Sequence, residues 1–173
     1  MSEFSLDKEF KKSALEVFSS NLVFAFICGS YASSSAVKGN SDIDMFLCLK
    51  KRDLKEEIKF KNWYLKVHGL LGYRFDDTFF CEFVELDYLK KSLDIFKENL
   101  PSKTTVSKKE YDNLVWAGML SGKSMSFVGN KEEYINLKGV SEPILLACRK
   151  KVSKYLCNLP NDLFLKEVIK YES

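Results

Sequence analysis

The sequence predicts an α+β fold of α/β-like character, a mixed sheet covered by helices and followed by a helical region. Three observations lead there. Strand-like and helix-like segments alternate over the first 100 residues, which calls for a sheet with helices packed on it. The spacer between the first two strands, residues 29–41, is polar and holds no full-length helix, so that connection does not force a parallel pair. Beyond residue 101 the pattern turns mainly helical, giving expected domains of 1–100 for the core and 101–173 for the helical region.

Each element has its own signal. Leu6, Phe10, Ala14, Leu15 and Phe18 form one face of a helix over residues 6–18. Residues 22–28, Leu-Val-Phe-Ala-Phe-Ile-Cys, read as a short buried strand. Residues 42–49 form a second strand, charged and apolar by turns at its start. Asp53 can cap a helix running to about His68, with Leu54, Ile58, Trp63, Leu65 and Val67 as apolar positions and Gly69 and Gly72 at its end. Residues 79–86 hold a third strand, and Asp87 caps a helix to Leu100. Pro101 opens a linker. Ser107 and Glu110 make a capping box before an apolar run, and Gly118, Gly122, Gly129 and Gly139 punctuate the helical region. Pro143 sits early in a further helix, and Pro160 divides the last two.

Composition narrows the function classes. A net charge of +3, with Lys and Glu interspersed, leaves no basic block dense enough to track nucleic acid; Lys50-Lys51-Arg52 reads as a solvated helix start. Five cysteines, odd in number and with no CxxC pair, read as reduced, buried thiols. There is no basic-then-apolar leader, and the longest apolar run, residues 22–28, is too short to span a bilayer. A soluble, cytoplasmic chain with no membrane partner is expected.

Asp42 and Asp44 open the chemical argument. Two apart in a strand, they share a face about 7 Å apart. Paired carboxylates on a mostly buried strand are costly unless a cation lies between them, and hard oxygen ligands suit magnesium or manganese. A bare Asp-x-Asp is more often a solvated strand start. Gly29-Ser30 changes the balance, because glycine directly after a strand lets another group approach the backbone, and the turn beyond it offers N–H donors to phosphate.

The run Phe26-Ile27-Cys28-Gly29-Ser30-Tyr31-Ala32, followed by Ser41-Asp42-Ile43-Asp44-Met45-Phe46, resembles the signature of the polymerase-β-type nucleotidyltransferase superfamily, in its small bacterial and archaeal branch. That branch includes the minimal nucleotidyltransferases paired with HEPN proteins and the aminoglycoside nucleotidyltransferases. The resemblance covers residues 22–49. It implies a polymerase-β-like core and a magnesium- or manganese-dependent transfer of a nucleoside monophosphate from a nucleoside triphosphate to a hydroxyl acceptor, with release of pyrophosphate. Asp42 and Asp44 would hold the metal, and Gly29, Ser30 and Ser41 the nucleotide. Many small members carry Gly-Ser-x-Ala-x-Gly, and this chain has serine in place of the last glycine.

The superfamily adds a third carboxylate from a later strand. Glu82 and Glu85 are candidates on opposite faces, and the apolar neighbours of Glu82 favour it as a metal ligand and proton acceptor. Asp76 and Asp77 read as turn residues. Lys123 is a candidate triphosphate contact, although Ser121-Gly122-Lys123-Ser124 is not a P-loop, since its first glycine is missing and the run before it is helical. His68, the sole histidine, reads as a cap or packing residue. A small molecule or a protein is the expected acceptor, and a protein partner or second copy is compatible with the pattern. The competing expectation is a catalytically weak, antitoxin-like partner that binds nucleotide.

Overall fold

The computed structural model describes residues 4–74, 81–100, 105–152 and 170–171. It divides the chain into two compact units: residues 1–87 with 123–133, and residues 88–122 with 134–173. The sequence pattern predicts instead a single boundary at residue 100. The difference comes from a strand in a region whose glycines read as punctuation between helices.

The first unit is built on a four-stranded mixed sheet whose strands, across the sheet, are β3 (Cys81–Glu85), β2 (Met45–Leu49), β1 (Leu22–Ile27) and β5 (Met125–Gly129). Helix α1 (Leu6–Phe18) leads through one 3-10 turn into β1 (Leu22–Ile27). A single helical turn, α2 (Gly29–Ala32), follows, then β2 (Met45–Leu49), α3 (Leu54–Leu71) and β3 (Cys81–Glu85). β1 and β2 are antiparallel, with Ile27 opposite Met45, whereas β2 and β3 are parallel, with Phe46 opposite Glu82. The fourth strand, β5 (Met125–Gly129), comes from the region expected to be helical and pairs antiparallel with β1. Its register slips between Ala25 and Ile27, and Ser126 takes a φ of 56° there, as in a β-bulge.

Strand alternation gives the sheet two distinct faces. One carries Ala25, Ile27, Met45, Leu47, Leu49 and Phe83 against Phe10, Ala14 and Phe18 of α1 and Phe60, Tyr64 and Val67 of α3. The other carries a phenylalanine stack, with Phe26 and Phe46 rings 5.3 Å apart and only 10° from parallel, and Phe24 stacked on both.

Helix α3 starts as expected, since the Asp53 carboxylate accepts from the N–H groups of Lys55 and Glu56. It runs three residues past His68 and ends at Gly72, whose φ of 73° suits a glycine cap. Its inward face differs from the expected one. Leu54, Ile58 and Leu65 are exposed, while Glu57, Phe60, Tyr64, Val67 and His68 are buried. That stripe recurs at three- and four-residue spacing, and two polar members enter it because each has a partner. Glu57 is one: Arg52 donates to its two carboxylate oxygens from Nε and Nη2, at 2.7 and 2.8 Å.

The second unit contains α4 (Leu86–Glu98, which begins at the end of the first unit), β4 (Thr105–Val106), α5 (Lys108–Ser121), α6 (Lys131–Val152, from Tyr134 onward) and β6 (Lys170–Tyr171), with β4 and β6 paired in parallel. The Ser107–Glu110 capping box is formed. Helix α6 does not begin near Pro143 but runs through it. Ser141, expected near a helix start, is buried and donates back to the Leu137 carbonyl at 2.8 Å, a mid-helix bond. Pro101, Asp76, Asp77 and the helices expected around Pro160 lie outside the described residues. No helix among the described residues is long and apolar enough to cross a membrane.

Candidate functional site

The site begins where β1 ends. Cys28 has extended backbone, and its N–H donates to the Asp44 carbonyl at 2.9 Å. The chain then turns sharply at Gly29, whose φ is +67°. A Cβ built on Gly29 would lie 1.9 Å from Oδ2 of Asp44 and 2.9 Å from its Cγ. The carboxylate therefore occupies the space a side chain would need, which is the physical reason for glycine here.

Alternation assigns the faces. Ile43 and Met45 are fully buried in the α1/α3 core, whereas Asp42 and Asp44, which precede β2, are only part-buried; within β2, Phe46 lies on the face opposite that core. Glu82 stands opposite Phe46 in the parallel β2–β3 register and shares that face. Glu85 does not: it is opposite Leu49, and its Oε1 accepts the Arg52 backbone N–H at 2.8 Å. Glu82 and Glu85 thus lie on opposite faces of β3, and Glu85 is committed to the turn at Arg52.

The buried Cys28 thiol registers the same gathering of charge. Burial pushes its pKa well above the ordinary thiol value, and negative charge on Asp44, Cys81, Glu82 and Asp42 pushes it the same way. Gly29, Asp42, Asp44 and Glu82 thus share one end of the sheet. Among the described residues, no group of three or more His, Cys, Asp and Glu side chains is drawn together tightly enough to hold a metal ion. Magnesium asks less of a protein, since one or two carboxylates plus substrate phosphates suffice. The donor set is all oxygen, and one of its members lies directly against the Gly29 turn, so the residues present fit such an ion.

The loop after Gly29 is held by serines. Ser33 Oγ donates to the carbonyls of Gly29 and Ser30, both at 3.1 Å, and the Ser35 N–H donates to the Ser30 carbonyl at 3.0 Å. Ser34 adopts a φ of 61°. It thus holds a left-handed backbone position with a residue that carries a side chain. Ser41 serves the loop too: its Oγ accepts the Val37 N–H at 3.0 Å, and its carbonyl accepts from Arg74 at 2.8 Å.

No protein-family model, curated protein or solved structure matches the chain.

Lys123 is exposed and lies two residues before Met125, the partner of Ile27, so β5 brings it to the Gly29 end of the sheet. Two residues of α3 also reach the site, and sequence reasoning did not assign them to it. The Ile43 N–H donates to Nε2 of His68 at 3.0 Å, and the Tyr64 hydroxyl donates to the Ile43 carbonyl at 2.9 Å. With Nε2 accepting, Nδ1 carries the proton and faces the Tyr64 carbonyl at 3.2 Å. Burial holds the His68 pKa below its ordinary value, opposed by the bond to the Tyr64 carbonyl and by the charge of Asp42. The only signal available in the sequence was an i, i+4 polar pair, Tyr64 and His68, on an otherwise apolar helix.

Proposed function

We propose that this chain is a magnesium-dependent nucleotidyltransferase that moves a nucleoside monophosphate from a nucleoside triphosphate to a hydroxyl acceptor, releasing pyrophosphate. The observation that carries this reading is the seat of the Asp44 carboxylate on Gly29, at the sheet end that also bears Asp42 and Glu82. Asp42 and Asp44 would hold the cation, with Glu82 as the third carboxylate. A bound magnesium ion supplies charge neutralisation for the triphosphate and polarises its phosphorus. The Gly29-Ser30 turn positions the phosphates, and exposed Lys123 offers a further positive charge at that end. Glu82 accepts the proton of the acceptor hydroxyl as its oxygen bonds to the α-phosphorus. The bond from that phosphorus to the bridging oxygen breaks, and pyrophosphate leaves. A small molecule or a protein is the proposed acceptor, because the sequence holds no basic block dense enough to track nucleic acid.

The test uses each of the four α-labelled nucleoside triphosphates with Mg2+ and panels of small-molecule and protein acceptors. Pyrophosphate release or label transfer is expected, falling about 100-fold or more in Asp42→Asn and Asp44→Asn at unchanged melting temperature. Glu82→Gln should fall by a similar factor, while Glu85→Gln should keep most of its rate. Equal activity in the aspartate variants would sink the assignment. Tight nucleotide binding without turnover on any acceptor would favour a binding or antitoxin-like role.

A further inference from the structure

We propose that His68 and Tyr64 are positioning residues that set the spacing and orientation of Asp42 and Asp44 by clamping the backbone of Ile43 from α3. This rests on the metal-site reading given above, and extends it to two residues that touch neither metal nor substrate.

The sheet does not hold this segment. β2 begins at Met45, and the last β1–β2 and first β2–β3 pairs are Ile27 with Met45 and Met45 with Cys81. The Asp44 carbonyl accepts from the Cys28 N–H at 2.9 Å and from the Cys28 thiol at 3.7 Å. Ile43 is fully buried, so its N–H and C=O need partners. Both come from side chains one helical turn apart on α3, Nε2 of His68 for the N–H and the Tyr64 hydroxyl for the C=O.

The placement has a specific consequence. The Ile43 N–H belongs to the peptide joining Asp42 to Ile43, and the Ile43 C=O belongs to the peptide joining Ile43 to Asp44. Each aspartate thus has one adjoining peptide plane fixed by α3. Rotation of either plane would swing a carboxylate away from the other. The clamp is itself braced: the two rings lie 3.9 Å apart between centroids, and Nδ1 of His68 is committed to the Tyr64 carbonyl. Residues that orient ligands in this way alter metal affinity by about 10- to 100-fold when removed.

The test measures binding of Mn2+–ATP by the water-proton relaxation it enhances on the protein. Asp42→Asn and Asp44→Asn should abolish the enhancement. Tyr64→Phe and His68→Phe, still folded by thermal melting, should weaken binding about 10-fold. His68→Gln, which keeps an acceptor near the Nε2 position, should recover most of it. An imidazole 15N spectrum of the wild type should show the proton on Nδ1. If wild type gives no enhancement, or the aspartate variants bind like wild type, the metal-site reading fails. If the aspartates matter but folded Tyr64→Phe binds like wild type, the clamp is overturned and the metal site stands. Should His68→Phe fail to fold, Tyr64→Phe and His68→Gln decide, and a proton on Nε2 overturns the clamp regardless.

Discussion

His68 stays neutral in the fold because its ring is buried and its Nε2 lone pair is engaged. Its folded-state pKa therefore lies below the ordinary 6.5, to which the ring returns when the chain unfolds. As pH drops through that value, the unfolded chain takes up a proton that the folded chain refuses. Stability contributed by the neutral ring is thus present above 6.5 and declines with acidification until the lower folded-state value is reached. Since His68 is the sole histidine, the comparison with His68→Gln is clean. The melting temperature of wild type should fall more steeply than that of the variant between about pH 7 and 5. Parallel curves would contradict this. At Gly29, alanine meets two penalties: a φ of +67° and a Cβ driven into the Asp44 carboxylate. Gly29→Ala should lose about 1–3 kcal/mol, read as a lower urea midpoint at unchanged slope. A midpoint equal to wild type would show that the contact relaxes freely.

At the level of elements, what was legible in the sequence was what neighbouring residues decide. The Gly29 turn and the Ser107 capping box are local, and the structure has both, whereas the strand expected from Asp42 begins only at Met45. β5 was not legible, because the bulge at Ser126 breaks the two-residue alternation that announces a strand. The inward face of α3 differs from the hydropathy pattern for a related reason. Leu54, Ile58 and Leu65 are apolar but exposed, and the buried stripe includes Glu57 and His68, whose partners Arg52 and Ile43 satisfy them. Hydropathy cannot show a partner. The Ile43–His68 bond spans 25 residues of chain, so the support of the acidic pair became visible only in the folded structure.

For the molecule as a whole, the interleaving of its two units matters more than their sizes. The chain leaves the first unit at Asp87, returns for residues 123–133, and leaves again. The return delivers β5, which pairs with β1 through Phe24, Ala25 and Ile27. Asn130 also donates to the Val23 carbonyl at 2.7 Å. A fragment of residues 1–100, cut where the sequence alone suggests a boundary, would leave β1 as an open edge of aromatic and aliphatic residues. It should show no cooperative thermal transition by circular dichroism, in contrast to the full chain. A fragment melting like the intact protein would mean that β5 is dispensable.

The contact between Gly29 and Asp44 also orders the ways in which this sequence can drift. The volume above the Gly29 Cα is occupied once, by a carboxylate that reaches across from the neighbouring segment. Enlarging residue 29 while Asp44 remains creates a collision with its carboxylate; shortening residue 44 to alanine first removes the worst of it, leaving a 3.2 Å contact with the residue 44 Cβ and the backbone penalty of about 1–2 kcal/mol. The two positions are thus historically asymmetric. A descendant can give up the acid and later the glycine through folded intermediates, whereas the reverse order passes through a damaged one.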